Sequence, residues 1–133
     1  MCIRFFVDEN LGQDMVEGLK KLGYDNIEHL LETFKPGTPD VEWLKYVGDN
    51  NLVLITKDGR IRKNFLEKKA LREYGVVAFF LGGKEQGTKQ ISLQIVTAWN
   101  NMEANAKHQL KTGVAGAFTV NARGSKITTI PLP

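Results

Sequence analysis

Three aspartates stand where the hydrophobic pattern of the chain changes. Asp8 ends the apolar run that starts at Ile3, and Asp58 follows the apolar run that starts at Leu52. Asp40 falls in the first turn of a predicted helix. The carboxyl ends of parallel strands share one edge of an open α/β sheet, so Asp8 and Asp58 are predicted to meet there. Hard divalent cations such as Mg²⁺ prefer carboxylate oxygens, which makes these three aspartates candidate metal ligands.

Two of the aspartates also have simpler explanations. An acid in the first turn of a helix is favoured by the helix dipole alone, which would account for Asp40. Asp58 precedes Gly59, and this pair is typical of a turn. Trp43, one turn after Asp40, is expected in the core, although an exposed ring there would be suited to stacking on a base.

A strongly basic segment surrounds Asp58. Seven cations fall within sixteen residues against two acids, a net charge of +5 compared with +3 for the whole chain. Lysine and arginine neutralise phosphates and release counterions, so the segment indicates a nucleic acid or another polyanion. A solvated helix face is the alternative. The candidate nucleic-acid contacts are Lys57, Arg60, Arg62 and Lys63.

Lys57 ranks below the two arginines of this segment. In an extended strand successive side chains point to opposite faces. Lys57 alternates with Thr56 and Asp58, so its side chain is predicted to point away from the site.

Strand patterns alternate with helix patterns along the chain. Short β-branched or aromatic runs predict strands at 3–7, 52–56 and 76–81, and the segment 24–30 is predicted to contain a further short strand. Helical spacing predicts helices at 11–22, from Pro39 onwards, and between Asn64 and Gly75. Thr38 is the predicted N-cap of the second helix and Pro39 its first helical residue. A long helix at 89–110 and a hairpin of 117–120 with 126–130 follow.

This alternation predicts an α/β fold with three layers and a central, mainly parallel sheet through about residue 82. The predicted organisation is a single domain over 1–133, with a core at 1–82 and an extension at 83–133 that carries the C-terminal helix and the β-hairpin.

Composition narrows the class of protein. The chain has 133 residues, 42% hydrophobic and 25% charged, as expected for one globular domain with its own core. Its apolar runs are too short to span a bilayer and its first residues lack a signal-peptide pattern, so a soluble, cytoplasmic protein without membrane contact is expected. Cys2 is the single cysteine, and His29 and His108 lack the spacing of zinc ligands, so the sequence does not predict a zinc site.

Three motifs resemble those of PIN-like domains, in particular the compact, VapC-like toxins of toxin–antitoxin pairs. They are Phe-Val-Asp-Glu-Asn-Leu, Thr-Pro-Asp-Val-Glu-Trp-Leu and Leu-Ile-Thr-Lys-Asp-Gly-Arg-Ile, within residues 3–82. The resemblance implies that Asp8, Asp40 and Asp58 bind Mg²⁺ or Mn²⁺ for hydrolysis of single-stranded RNA. It also implies that the Thr56 hydroxyl orients a carboxylate or a metal-bound water. Its implied partners are RNA, a cognate antitoxin and a second copy of the chain.

The sequence departs from the larger PIN nucleases at one position. Those enzymes carry a further acid, usually glutamate, on a helix between the first and second aspartates. Glu9 adjoins Asp8, but strand alternation turns it to the other face if the strand continues. Glu28 and Glu32 fall in a segment that the pattern does not assign. Without that further acid, either three acids and water hold the cation, or the site binds the cation more weakly than those of the larger enzymes.

Three functions follow from these observations. The leading hypothesis is a metal-dependent ribonuclease, with the cation polarising a phosphoryl oxygen and activating water for attack. A non-catalytic module that binds RNA or protein is the second. The third is a phosphoacceptor of the receiver type, which also places acids after its first and third strands; Thr56-Lys57-Asp58 matches that arrangement poorly.

Overall fold

A computed structural model of the protein describes residues 2–57, 65–84 and 86–132. These residues form six strands, four α-helices and one short 3-10 helix, Leu30–Glu32. The strands are β1 (Phe5–Val7), β2 (Ile27–His29), β3 (Val53–Thr56), β4 (Val77–Leu81), β5 (Gly116–Val120) and β6 (Ile127–Ile130). The α-helices are α1 (Gln13–Lys21), α2 (Asp40–Asp49), α3 (Phe65–Glu73) and α4 (Thr88–Lys111).

The strands form one sheet in the order β2-β1-β3-β4-β5-β6. All neighbouring pairs are parallel except β5 with β6. Every residue of β1, β3 and β4 is buried, as expected for parallel strands covered on both faces. The prediction of a mainly parallel sheet is confirmed.

Helices cover both faces of the sheet, because alternate strand residues point to opposite sides. On one face, Phe5 makes an edge contact with Trp99 of α4, the ring centroids 4.8 Å apart, and α1 packs beside it. On the other face, Phe6 stacks on Trp43 of α2 at 5.8 Å, and α3 contributes to the same core. These two cores confirm the predicted three-layer α/β/α fold.

The parallel sheet extends further than the sequence predicted. β5 pairs with β4 in parallel, with Phe79 opposite Phe118 and their rings 5.0 Å apart. A parallel pair needs a crossover, and α4 supplies it while burying Trp99 in the core. The predicted end of the parallel sheet near residue 82 is therefore wrong, whereas the predicted hairpin is present as β5 and β6.

The start of α2 also differs by one residue from the prediction. Pro39, not Thr38, is the N-cap, and no side chain caps this end. The Thr38 hydroxyl instead donates to the carbonyl oxygen of Lys35 at 2.6 Å, closing the preceding turn. Asp40 is consequently the first residue of the helix. Within the described ranges, none of the helices has the length and apolar character that crossing a membrane requires.

Candidate active-site cleft

A cleft of about 460 Å³ opens at the carboxyl edge of the sheet, beside the end of β1. Asp8 follows Phe6 by two residues, and so lies on the face of the sheet that α2 covers. The cleft is lined by Asp8, Glu9, Asn10, Leu30, Gly37, Thr38, Pro39, Asp40 and Trp43. Two of the three predicted metal ligands, Asp8 and Asp40, thus line the same cleft.

Asp8 is fixed by the strand beside it. Val7 pairs with Ile55 in the sheet, which places the next residues, Asp8 and Thr56, side by side. The Thr56 hydroxyl donates to Asp8 Oδ2 at 2.5 Å, and the backbone N–H of Asn10 donates to Oδ1 at 3.2 Å. Asp8 is only 2% exposed and Thr56 is fully buried. This hydrogen bond from Thr56 orients the Asp8 carboxylate.

Asp40 is positioned by the first turn of α2. Its Oδ1 accepts a hydrogen bond from Trp43 Nε1 at 3.1 Å. Trp43 is 2% exposed and stacks on Phe6, so its ring belongs to the core, as predicted, and is not available to stack on a base. Asp40 thus lines the cleft with its carboxylate held by a core residue, in addition to the favourable interaction of an acid with the start of a helix.

The remaining predicted site residues other than Lys57 lie outside the described residues. They are Asp58, Arg60, Arg62 and Lys63. The convergence of Asp58 with Asp8 and the contacts of the basic segment therefore remain predictions.

Lys57 is held away from the cleft. Its Nζ donates to Gln86 Oε1 at 2.7 Å and to the carbonyl oxygens of Gly82 and Gly83 at 3.3 and 3.4 Å. Burial lowers the pKa of the Lys57 ammonium group. These contacts agree with the alternation argument, since Thr56 reaches Asp8 while Lys57 ties the end of β3 to the segment after β4.

Glu9 lines the cleft. Strand alternation would turn it to the other face only if β1 continued beyond Val7, and it does not. Asp8 still keeps the alternation of β1, but the chain leaves the strand there, so alternation does not extend to Glu9. The chain turns at Asp8, whose carbonyl oxygen accepts from the N–H of Leu11 at 3.2 Å. Glu9 Oε1 accepts from the N–H of Gly37 at 3.0 Å across the cleft. The uninterrupted polar run from Asp8 to Asn10 was the sequence signal for this turn.

His29 stabilises that turn through hydrogen bonds of both its ring nitrogens. Its Nδ1 accepts from the N–H of Leu31 at 3.0 Å, so its Nε2 carries the proton and donates to the carbonyl oxygen of Leu11 at 2.6 Å. The side chain is 2% exposed. Both ring nitrogens are occupied by these bonds, and the role of His29 is to hold the backbone that follows Asp8.

The lining of the cleft has the donor chemistry of a site for Mg²⁺ or Mn²⁺. Its ionisable side chains are Asp8, Glu9 and Asp40, and carboxylate oxygens are hard ligands suited to these cations. In residues 2–57, 65–84 and 86–132, no three acidic, histidine or cysteine side chains already form a group able to hold a metal ion. The predicted ligand Asp58, immediately after Lys57, lies outside these ranges.

Comparison with known proteins agrees with this arrangement. A protein-family model described as "PIN like domain" matches residues 3–83, which is more than half of the chain and includes all three predicted aspartates. Comparison with curated proteins and with solved structures gives no match. The match, the three-layer fold and the acidic cleft at the carboxyl edge of the sheet lead to one conclusion. This chain belongs to the family of PIN-like domains.

Proposed function

We propose that the protein is a metal-dependent ribonuclease that hydrolyses phosphodiester bonds of single-stranded RNA in the acidic cleft. PIN-like domains are commonly nucleases. The observation that carries the proposal is the buried Asp8 carboxylate, held by Thr56 in a cleft that Asp40 also lines. A carboxylate that is withdrawn from water and fixed by a neighbouring strand is preorganised for its task.

The residues of the cleft have distinct parts in this proposal. Asp8, Asp40 and Asp58 would hold Mg²⁺ or Mn²⁺, which when bound polarises a phosphoryl oxygen and lowers the pKa of a water molecule. Thr56 fixes the rotamer of Asp8, and Trp43 fixes that of Asp40. The core behind Trp43 closes one side of the cleft to water, so charges there are less screened than on an open surface.

In this proposal the basic segment binds the RNA substrate. Arg60, Arg62 and Lys63 follow Asp58 in the sequence, and their charges are suited to the phosphates of an RNA strand. Lys57 already donates to three oxygens, which makes it a support for the backbone beside the site. The resemblance to toxins extends the proposal to a cytoplasmic toxin that is inhibited by an antitoxin protein and forms a homodimer.

Cleavage of a mixed single-stranded RNA pool, with Mg²⁺, Mn²⁺ or EDTA, tests the activity. Asp8→Asn and Asp58→Asn each remove one proposed ligand charge at nearly constant volume. We expect both to lower the rate by more than the roughly 100-fold typical of outer-shell partners. Asp25→Asn is the matched control, because the exposed Asp25 lines a separate cleft together with Ile3, before β1, and Glu103 of α4.

The outcome separates the proposal from its alternative. Metal-dependent cleavage by the wild type and by Asp25→Asn, lost in both other variants, supports the nuclease. Cleavage that persists in Asp8→Asn would place the chemistry outside this cleft.

One observation favours a second candidate, a non-catalytic module that binds RNA. The acids of the cleft, within the described part of the chain, do not already form a metal-binding group. Such a module would bind RNA equally with Mg²⁺ and with EDTA and would cleave none. Its affinity would fall with salt, because phosphate contacts release counterions, and Arg60→Ala with Arg62→Ala would reduce that salt slope.

A further inference from the structure

The region after residue 82 carries the excess of positive charge in this chain. Residues 1–82 contain twelve cations and thirteen acids, a net charge of −1, whereas residues 83–133 contain six cations and two acids, a net charge of +4. Two of these six cations, Lys107 and Lys111, lie near the end of α4. The other four are exposed and belong to the segments that follow β4 and β5, and we call them the C-terminal basic patch: Lys84, Lys89, Arg123 and Lys126.

The topology of the sheet brings the C-terminal basic patch to the edge that carries the acidic cleft. Parallel strands end at the same edge, and β4 and β5 are parallel neighbours with Leu81 opposite Val120. Lys84 and the start of α4 follow the end of β4, and Arg123 lies in the turn that follows β5. β5 is three strand positions from β1, about 14 Å at the usual spacing of strands. One RNA strand can therefore extend from the cleft to the patch.

The backbone of the C-terminal basic patch is fixed by a buried glutamine. Gln94 of α4 is 1% exposed, and its Nε2 donates to the carbonyl oxygens of Gly82 at 3.0 Å and Asn121 at 2.9 Å. Asn121 Oδ1 accepts from the N–H of Lys126 at 3.1 Å, within the turn between β5 and β6. At Gly124 of this turn, a Cβ atom would stand 2.4 Å from the carbonyl oxygen of Gln94, so the turn packs directly on α4. The segments after β4 and β5 are thus held together before any ligand binds.

The side chains of the C-terminal basic patch are available to an anion. In residues 2–57, 65–84 and 86–132, none of the four forms an ion pair or donates a side-chain hydrogen bond. Lys57, by contrast, is engaged with Gln86 and two carbonyl oxygens. Glu85, next to Lys84 in the sequence, lies outside these ranges. Exposed cations on a fixed backbone are suited to phosphates, because binding releases counterions and requires little ordering of the protein.

We infer that the C-terminal basic patch binds the phosphates of the RNA strand whose neighbouring part occupies the acidic cleft. The inference rests on the proposed function, in which RNA is the substrate. The match to PIN-like domains ends at residue 83, so this contact would be a property of the region that follows it. The patch lies away from Asp8, and its contacts would be equal before and during the reaction. Such contacts lower KM and leave kcat unchanged.

Binding of a labelled single-stranded RNA in EDTA, measured at several salt concentrations, tests the inference in the absence of cleavage. Arg123→Gln with Lys126→Gln removes two charges of the patch, and Lys84→Gln with Lys89→Gln removes the other two. Each pair should make the slope of log affinity against log salt less steep by about 1.4, since each phosphate contact on a single strand contributes about 0.7.

Lys107→Gln with Lys111→Gln is the matched control. It removes the same charge from exposed residues of the same region, at the opposite end of α4. This control should keep the slope of the wild type, and thermal unfolding verifies that all three double variants are folded. In cleavage assays with Mg²⁺, both patch variants should raise KM for an RNA that reaches the patch, without a change in kcat.

The possible results distinguish this inference from the proposed function. If the wild type cleaves RNA and both patch variants keep its salt slope and KM, the inference fails although the nuclease stands, and the patch serves another partner. If the patch variants lose slope in a protein that cleaves no RNA, the hydrolysis fails and the RNA-binding patch stands. An equal loss of slope in the control would show a general effect of net charge and contradict a localised patch. A wild type that binds no single-stranded RNA contradicts both.

Discussion

Thr56 and Asp8 form a buried hydrogen bond in the acidic cleft. The hydroxyl and the carboxylate lie on neighbouring parallel strands, far apart in the chain, so the contact exists only when β1 and β3 are in register. If a buried carboxylate loses a hydrogen-bond donor, the folded protein becomes less stable. The carboxylate is then also free to adopt other rotamers. In the proposed ribonuclease, Thr56 would thus be a positioning residue that acts through Asp8.

Two replacements of Thr56 distinguish the contribution of its hydroxyl group from that of its side-chain volume. Thr56→Val keeps the branched side chain but removes the donor to Asp8, and we expect a loss of about 1–3 kcal/mol in the free energy of unfolding. Mn²⁺ affinity and RNA cleavage should fall about 10- to 100-fold, as for other partners that orient a ligand. Thr56→Ser retains the hydroxyl and should recover most of both. Unchanged Mn²⁺ affinity in a folded Thr56→Val protein would contradict the positioning role.

At the scale of elements, the helix α2 carries Asp40 and is fixed by its packing against α3. The two helices approach closely at Gly48, where a Cβ atom would stand 2.1 Å from the carbonyl oxygen of Tyr74. That oxygen belongs to the backbone, so it is not able to move aside as the end of a side chain would. Gly48 thereby sets how α2, with Asp40 at its start, lies on the sheet.

Gly48→Ala should destabilise the protein although alanine is the better helix former. Separation of α2 from α3 to admit the methyl group should lower the free energy of unfolding by about 1–3 kcal/mol, the usual cost of overpacking. Gly18→Ala in α1 is the matched control, because no atom lies within 4 Å of its added Cβ. That control should gain up to about 1 kcal/mol from helix propensity. Chemical denaturation measures both, and equal effects of the two substitutions would refute the packing argument.

Periodicity predicted most elements because each carries a local signal, whereas their ends depend on contacts. The predicted end of the first strand at Val7 is correct, but the direction of Glu9 depends on the turn in which the Leu11 N–H donates to the carbonyl oxygen of Asp8. Thr38 has the sequence pattern of an N-cap, yet its hydroxyl closes the turn that begins at Lys35. Glu9 and Thr38 both line the cleft, where local rules give way to the geometry of the site.

At the scale of the whole molecule, the sequence predicted the layers but not the full extent of the sheet. The long helical pattern of α4 and the apolar strand β5 were both recognised. Their place in the parallel sheet depends on the register of Phe118 beside Phe79 and on burial of Trp99 against Phe5. Those pairings join residues distant in the chain, and a single sequence contains no local signal for them. The region after residue 83 therefore stabilises the same sheet that carries Asp8 and Thr56.

The stability of the whole molecule should depend on pH through Glu28. Burial, opposed by the hydrogen bond from Tyr46 and reinforced by the charge of Glu32, raises the pKa of Glu28 above its ordinary value of 4.5. The folded state then binds more protons than the unfolded state between 4.5 and the raised pKa, so this contribution to stability is complete below 4.5 and is lost as pH rises through that window.

Glu28→Gln removes the titration while leaving an oxygen for Tyr46. The free energy of unfolding of the wild type minus that of Glu28→Gln should fall as pH rises from 4.5 towards neutrality and then level off. Glu32→Gln is the control, because the pKa of Glu32 is shifted in the opposite direction. Burial alone would raise the pKa of Glu32, but the bonds from the His29 N–H and Lys20 outweigh it and lower that pKa, so its contribution is lost as pH falls. Chemical denaturation from below pH 4.5 to neutrality measures both, because the contribution of Glu32 is lost below 4.5 and that of Glu28 above it. A flat difference curve for Glu28→Gln would show that ionised Glu28 is not disfavoured by the fold.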